Sequence, residues 1–400
     1  MNRLLKRFLN YVRIDTQSNP NSKTQPSTMK QKNLSKLLFN ELSEMGYSPI
    51  LDKYGYTYCH IKKNAEGFTP VGFISHVDTS PDFNGSNVNP KIIKSYDGKK
   101  IELNSNLFLD TNSYPILNSV VGDDLVVTDG LSLLGADDKC GVAEIMELAQ
   151  ILSEDTSIKH GDIYICFTPD EEIGKGTINF NYDFFKVNYA FTLDGSTVGE
   201  IEYENFNAAS AIVKFTGKAI HPGSAKNKMV NASRLAMEFH SLLPKKMIPS
   251  LTSSYEGFNH LTELKAQVDS ALSKYIIRNH DLSKFKKQKE KFEEIIKYLN
   301  NKYSYECSSV VITDTYFNMY EKIKPRMDII EIARKSIEKC GIKAISNPIR
   351  GGTDGAVLTY NGLLCPNLGT GGFNFHGPYE FASVQQMNKA VEILLEIIKY

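Results

Sequence analysis

The stretch VGFISHVDTSP, residues 71–81, joins a short apolar run to a histidine and an aspartate two positions apart. Val71 to Ser75 reads as a buried strand, and His76 and Asp78 stand where it ends. A buried strand that ends in an imidazole or a carboxylate is how an α/β sheet delivers polar groups to the crevice along its carboxyl edge. The arrangement recurs down the chain. DIYICF (162–167) leads into TPDEEIG, with Glu171 and Glu172, and YAFTL (189–193) leads into Asp194. Two Gly-rich turns add GADDKCG, with Asp137 and Asp138, and GGFNFHGP, with His376. Carboxylates gathered in one crevice would repel each other unless a cation held them. The pattern therefore predicts a metal site, and the number of ligands suggests two metals.

The rest of the first half fits the same architecture. Leu34 to Met45 reads as a helix stopped by Gly46, Gly141 to Leu152 as a helix after a Gly-rich turn, and Tyr189 to Leu193 as another strand. This alternation predicts a mainly parallel sheet with helices on its faces. From residue 207 to 317 the texture changes. ASAIVKFTG reads as a strand and VNASRLAMEFHSLL as a helix opened by Asn231. HDLSKFKKQKEKFEEIIKYLNNKY is a long charged helix capped by Asp281, and SSVVITDTYF is a strand. We expect a smaller α+β domain at 207–317, inserted into a larger α/β domain formed by 1–206 and 318–400. The larger domain resumes with a helix from Pro325 to Cys340, the turn RGGTDG and a final helix from Val384 to Lys399.

Composition excludes several classes. With 400 residues the chain is long enough for two domains, and 41% hydrophobic against 23% charged residues is ordinary for a folded protein. Charge balances at 46 basic and 46 acidic residues, so nothing draws the chain to nucleic acid or to a membrane. The lysines at 284–291 sit on a helix that also carries glutamates, and read as a solvated face. Six cysteines lie far apart without a CxxC. That spacing argues for a reducing compartment and against a disulfide framework or a thiolate zinc site. The N-terminal MNRLLKRFLNYVRI has helical spacing broken by charge, unlike a signal peptide, and no run approaches the length of a membrane span. A cytoplasmic location is expected.

The residue types suit hydrolysis. Hard and borderline divalent cations take oxygen and imidazole ligands, and zinc accepts both. An aspartate two residues after a histidine can hold its ring N–H and fix which nitrogen meets the metal. Asp137 and Asp138 could bind metal or favour a helix N-terminus. Glu171 and Glu172 point in different directions, so one can bind metal while the other serves as general base for an attacking water. Taken singly, each motif also reads as an ordinary strand end or acidic turn.

Together the motifs carry a resemblance. HVDTSPD, LLGADDKCG, TPDEEIGKG, TLDG, AIHPGSAK, RGGTDGA and GGFNFHGPYEF resemble, in matching order from the first helix to the last, the dinuclear-zinc metallopeptidase family that includes carboxypeptidase G and the aminoacylases. Within it they are most similar to the peptidase T group of aminotripeptidases. The resemblance implies two zinc ions, bridged by Asp137, with His76 and Asp194 completing one site and Glu172 and His376 the other. Asp78 would orient His76, and Glu171 would be the general base. The inserted domain would be a lid or dimerisation domain. From it His221 would stabilise the developing oxyanion, and Arg278 would help bind the peptide. Arg350, before a turn whose amides could face a carboxylate, would bind the substrate terminus. Cys140 stands where relatives carry a small alanine or glycine, and Pro378 and Tyr379 are less basic than the pattern expects. The implied activity is release of the N-terminal residue from tripeptides, with a possible homodimer. A sister activity on dipeptides or N-acyl-amino acids would use the same metal site. A metal-binding regulatory protein without turnover would lack the need for Glu171.

Overall fold

The computed structural model describes residues 2–400 and divides into two compact units. The first comprises residues up to Tyr203, Lys322–Asn347 and Thr353–Tyr400, and is built on a seven-stranded sheet. Its strands run in the order Ile50–Leu51, Thr57–Ile61, Ile163–Thr168, Val71–His76, Ala190–Gly195, Asn367–Gly369 and Ile201–Glu202. The four strands from Ile163–Thr168 to Asn367–Gly369 are mutually parallel, and the outer pairings are antiparallel. The sheet is thus mixed, with the parallel part where the sequence places its buried runs.

Burial explains those runs. Val71, Phe73 and Ile74 are each at most 1% exposed, so both faces of the strand need apolar side chains. The register sets His76 opposite Thr168 and Gly72 opposite Ala190. Parallel strands end at the same edge, which brings His76, the turn after Thr168 and Asp194 side by side. The helix Ala136–Glu154 packs behind them, with Val142, Ile145, Met146 and Leu148 fully buried.

A second, four-stranded antiparallel sheet escapes the sequence reading. It orders Gly372–Phe373, Phe381–Ser383, Leu125–Val127 and Lys91–Ile93, all too short to show a period. Phe373 and Phe381 are register partners, and their rings stack 4.9 Å apart. The hairpin they clamp carries His376 in its turn.

The second unit is Glu204–Glu321 together with Pro348–Gly352. Its antiparallel sheet orders Phe258–Ala266, Ser270–Asn279, Asn207–Thr216 and Ser308–Tyr316. Ala209, Ala211, Val213 and Phe215 point inward while Ser210, Ile212 and Lys214 are exposed, the alternation of a sheet covered on one face. Helices Ala232–Leu242 and Leu282–Tyr303 supply Phe239 and Phe292 to that core. The expected caps are present: Asn231 accepts from Ser233 N at 2.8 Å and Asp281 from Lys284 N at 2.8 Å.

The segment Pro348–Gly352 belongs to this unit rather than to the larger one in which the RGGTDG turn was expected. Ile349 N donates to Glu204 O at 2.8 Å, and its carbonyl accepts from His280 at 2.9 Å. Gly352 lies against the Tyr316 ring, where a Cβ would come within 2.3 Å. No helix among the described residues is long and apolar enough to cross a membrane. All six cysteines are free.

Candidate metal centre

Two triads of potential ligands meet at the carboxyl edge of the parallel strands: His76, Asp137 and Asp194, and Asp137, Glu172 and His376. Asp137 belongs to both, one oxygen to each. His76 Nε2 lies 2.8 Å from Asp137 Oδ1 and 3.5 Å from Asp194 Oδ1. His376 Nε2 lies 3.3 Å from Asp137 Oδ2 and 2.9 Å from Glu172 Oε2. All five residues expected to hold metal are therefore gathered, and their ligand atoms fall within 4.8 Å of one another in each triad.

Local structure places each group. Gly135, at φ +81°, turns the chain into the Ala136–Glu154 helix. Asp138 points away from the triads: its carboxylate accepts from the Ser75 hydroxyl and, at 3.1 Å, from His76 N. That leaves Asp137 alone to face the centre. Glu171 and Glu172 lie on a single 3₁₀ turn after Asp170, which adopts φ +62°. Asp170 is held by Ser27 N and Gln31 Nε2, each at 2.7 Å, and by the Ser27 hydroxyl.

Asp78 does more than the sequence suggests. His76 Nδ1–H donates to the Asp78 carbonyl at 3.1 Å, with Asp78 Oδ1 3.4 Å away, which leaves Nε2 for the centre. The Asp78 carboxylate also accepts from Glu171 N at 3.0 Å and Glu172 N at 3.3 Å. One buried aspartate thus ties the His76 strand to the two-glutamate turn. Glu171 stands outside both triads; its Oε1 accepts from Asp354 N at 3.1 Å.

Glu380 and Asp82 were not found from the sequence. Glu380, 1% exposed, accepts from Leu134 N, Gly135 N and Asp137 N at 2.7, 2.8 and 3.0 Å, and so braces the turn that presents Asp137. Asp82 Oδ2 accepts from His376 Nδ1 at 3.1 Å. Both are carboxylates fixed by partners far along the chain. Their only sequence signal is position: Glu380 between aromatic residues, Asp82 at the end of HVDTSPD.

Electrostatics fit a cation pair. Burial pushes Glu172 up to about 8, helped by the Asp137 charge, and lifts Asp194 to about 6. Burial, with the charges of Asp194 and Asp354, raises Glu171 well above the carboxylate range. Asp137 resists burial because hydrogen bonds from His376 and His76 hold it below its ordinary value. The same bonds to Asp137 and Glu172 raise His376 to about 11. Without metal, protons take the place of positive charge. Glu172 Oε1 is buried and has no hydrogen-bond partner among the described residues. An oxygen and imidazole donor set with an orphaned carboxylate oxygen is what a divalent ion would complete.

The remaining expected residues lie in the second unit. His221 is exposed, and its Nδ1 accepts from Gly223 N at 3.1 Å, so Nε2 is the nitrogen left for a ligand. Arg278 packs over the Tyr316 ring at 5.3 Å and donates to the Ala209 and Ile277 carbonyls. Arg350 is already engaged. It donates to Ser254 O, Glu256 O and Thr252 Oγ1 at 2.6, 2.9 and 3.0 Å, and lies over the Phe206 and Phe258 rings.

Known proteins resemble this chain over its whole length. Residues 203–304 match the model of the peptidase dimerisation domain. Over 401 residues the chain is 50% identical to peptidase T of Clostridium perfringens, covering 100% of this chain and 99% of that protein. The fold matches the aminopeptidase PepT of Bacillus cereus with a TM-score of 0.79 at 23% identity, over 99% of this chain and 97% of that one. It matches a Staphylococcus aureus tripeptidase with a TM-score of 0.80 at 22% identity, over 99% and 97% of the two chains. With half its residues identical to a relative over the full length of both, the chain belongs to the peptidase T family and is a peptidase.

Proposed function

We propose that this peptidase is an aminotripeptidase that releases the N-terminal residue of tripeptides at a pair of zinc ions. The observation that carries the reading is the pair of triads sharing Asp137, with a separate glutamate, Glu171, beside them. His76, Asp137 and Asp194 would hold one ion, and Asp137, Glu172 and His376 the other. Bound there, the ions would polarise the scissile carbonyl and make water a stronger nucleophile near neutral pH.

The chain's own groups do the rest. Glu171 takes the proton of the attacking water and returns it to the departing amine. Its position is fixed from two sides, by the Asp354 N–H on Oε1 and by Asp78 on its own N–H. Asp78 acts by orientation: its bonds to His76 and to the Glu171–Glu172 turn keep ligand and base in register. His221 stabilises the developing oxyanion. Arg278, held by the Ala209 and Ile277 carbonyls against the Tyr316 ring, helps bind the peptide. Arg350 shapes the same region by fastening the Thr252–Glu256 segment. The inserted domain, 207–317 by sequence, serves as lid and homodimer contact, and the dimerisation-domain match supports the second of these roles.

The test is hydrolysis of one tripeptide, its matching dipeptide and tetrapeptide, and its N-acetylated form, with and without a chelator. Chelator-sensitive release of the first residue from the free tripeptide alone is expected. Preference for the dipeptide or the acetylated form would move the activity to a sister hydrolase. No turnover after zinc is restored would leave a metal-binding protein.

A further inference from the structure

The two histidines of the centre are held in different ways. His76 is 2% exposed and lies under the sheet edge, with its Nδ1 between the carbonyl and the carboxylate of Asp78. The His376 side chain is 41% exposed, sits in a hairpin turn at φ +67°, and is followed by Gly377. Packing cannot fix a ring so open to solvent. Its Nε2 faces Glu172 and Asp137, and on the other side its Nδ1 meets Asp82 Oδ2 at 3.1 Å.

Asp82 does not reach that place by chance. Gln17 Nε2 donates to the Ser80 and Phe83 carbonyls at 3.0 and 2.6 Å, which clamps the turn on both sides of it. Asp82 N donates to Ser80 Oγ at 3.3 Å, and Thr79 and Ser80 are buried beneath. The turn leaves the same strand end that supplies His76 and Asp78. A single segment, His76–Asp82, thus carries a carboxylate for each histidine.

We propose that Asp82 is the positioning residue for His376: it fixes the ring so that Nε2 faces the metal shared with Glu172 and Asp137, and thereby sets the affinity of that one ion without affecting the ion held by His76 and Asp194. This rests on the reading of the triads as two metal sites. A carboxylate on the far nitrogen of a ligating histidine typically accounts for about 10–100-fold in metal affinity. Asp82 is 69% exposed, so solvent screening places its effect near the lower end, about tenfold.

The experiment is a zinc titration of metal-free wild type, D82A and D82N by competition with a chromophoric chelator. D82A should weaken one of two binding steps about tenfold and leave the other unchanged. D82N, which keeps an oxygen acceptor, should recover most of the loss. Equal loss in both steps, or no loss in either, would overturn the assignment. A second readout does not depend on the ion count. In metal-free protein the His376 Nδ1 nitrogen-15 resonance should shift in D82A while that of His76 stays in place, and an unmoved His376 resonance in D82A would also refute the contact. Wild type binding a single ion would end the two-metal reading, while the resonance would still decide whether Asp82 holds His376.

Discussion

Replacing Glu380 by alanine removes an acceptor shared by three backbone N–H groups of the turn that presents Asp137. The donors lie at 2.7, 2.8 and 3.0 Å, and the side chain is 1% exposed. A buried N–H left without a partner costs about 1–3 kcal/mol, so the three together should cost about 3–6 kcal/mol after water and relaxation recover part of the loss. The carboxylate brings an opposing effect. Burial pushes its pKa from 4.5 up to about 7, although the N–H groups of Asp137, Gly135 and Leu134 pull it down. The folded state then binds the proton more tightly than the unfolded state. Its contribution is full below the unfolded value and is lost as pH rises through the folded one. A shift of this size corresponds to about 3 kcal/mol.

Glu380→Ala should therefore cost about 3–6 kcal/mol near pH 5, and the gap to wild type should narrow by up to about 3 kcal/mol near pH 8. Urea unfolding of the metal-free proteins measures this, because bound metal would add its own stabilisation. The 21 tyrosines give the fluorescence signal, since there is no tryptophan. A cost below about 1 kcal/mol near pH 5 would show that the turn holds itself without Glu380. A gap that widens with pH would show that the ionised carboxylate is the form the fold prefers.

Other outcomes follow from the same contacts. Glu171→Gln keeps an oxygen for the Asp354 N–H, so it should retain its metals by elemental analysis while kcat falls about 10²–10⁴-fold; unchanged kcat would remove Glu171 from the reaction. Asp78→Ala should lower kcat and the affinity for the ion assigned to Glu172, because the two-glutamate turn loses its acceptor while His76 Nδ1 keeps the backbone carbonyl of residue 78; kcat and affinity both intact would show that the turn holds itself without Asp78. Zinc uptake should release protons, since the ligands must give up the protons that replace metal. Release should be larger near pH 7 than near pH 9, because Glu172 titrates at about 8, and calorimetry in buffers of different ionisation enthalpy reads the difference. Uptake without proton release would mean that other residues bind the ion.

How much of this could be read from sequence depended on whether a residue's role is set by its neighbours along the chain. Val71–Ser75 and Ile163–Phe167 were legible because a strand buried on both faces must be apolar throughout, and each ends at its polar turn. His76, Glu172 and Asp194 were legible for the same local reason, and Asp137 and His376 from the Gly-rich turns that carry them. The strands of the smaller sheet, such as Phe381–Ser383, are too short to carry a period, so the hairpin that lifts His376 into place was not. Arg350 read as a substrate ligand because the partners that engage it, at Thr252–Glu256, lie about a hundred positions away and leave no mark beside it. Glu380 shows what a stricter reading could have recovered. It stands in Tyr-Glu-Phe, with no lysine or arginine in the GGFNFHGPYEF stretch, and the Phe381 beside it is fully buried. A carboxylate carried inside by such neighbours must find N–H donors or a cation. An acidic residue with no lysine or arginine nearby, set between aromatic residues just before an apolar strand, is for that reason a prediction of a distant turn that it holds, and the Leu134–Asp137 turn is the one it finds.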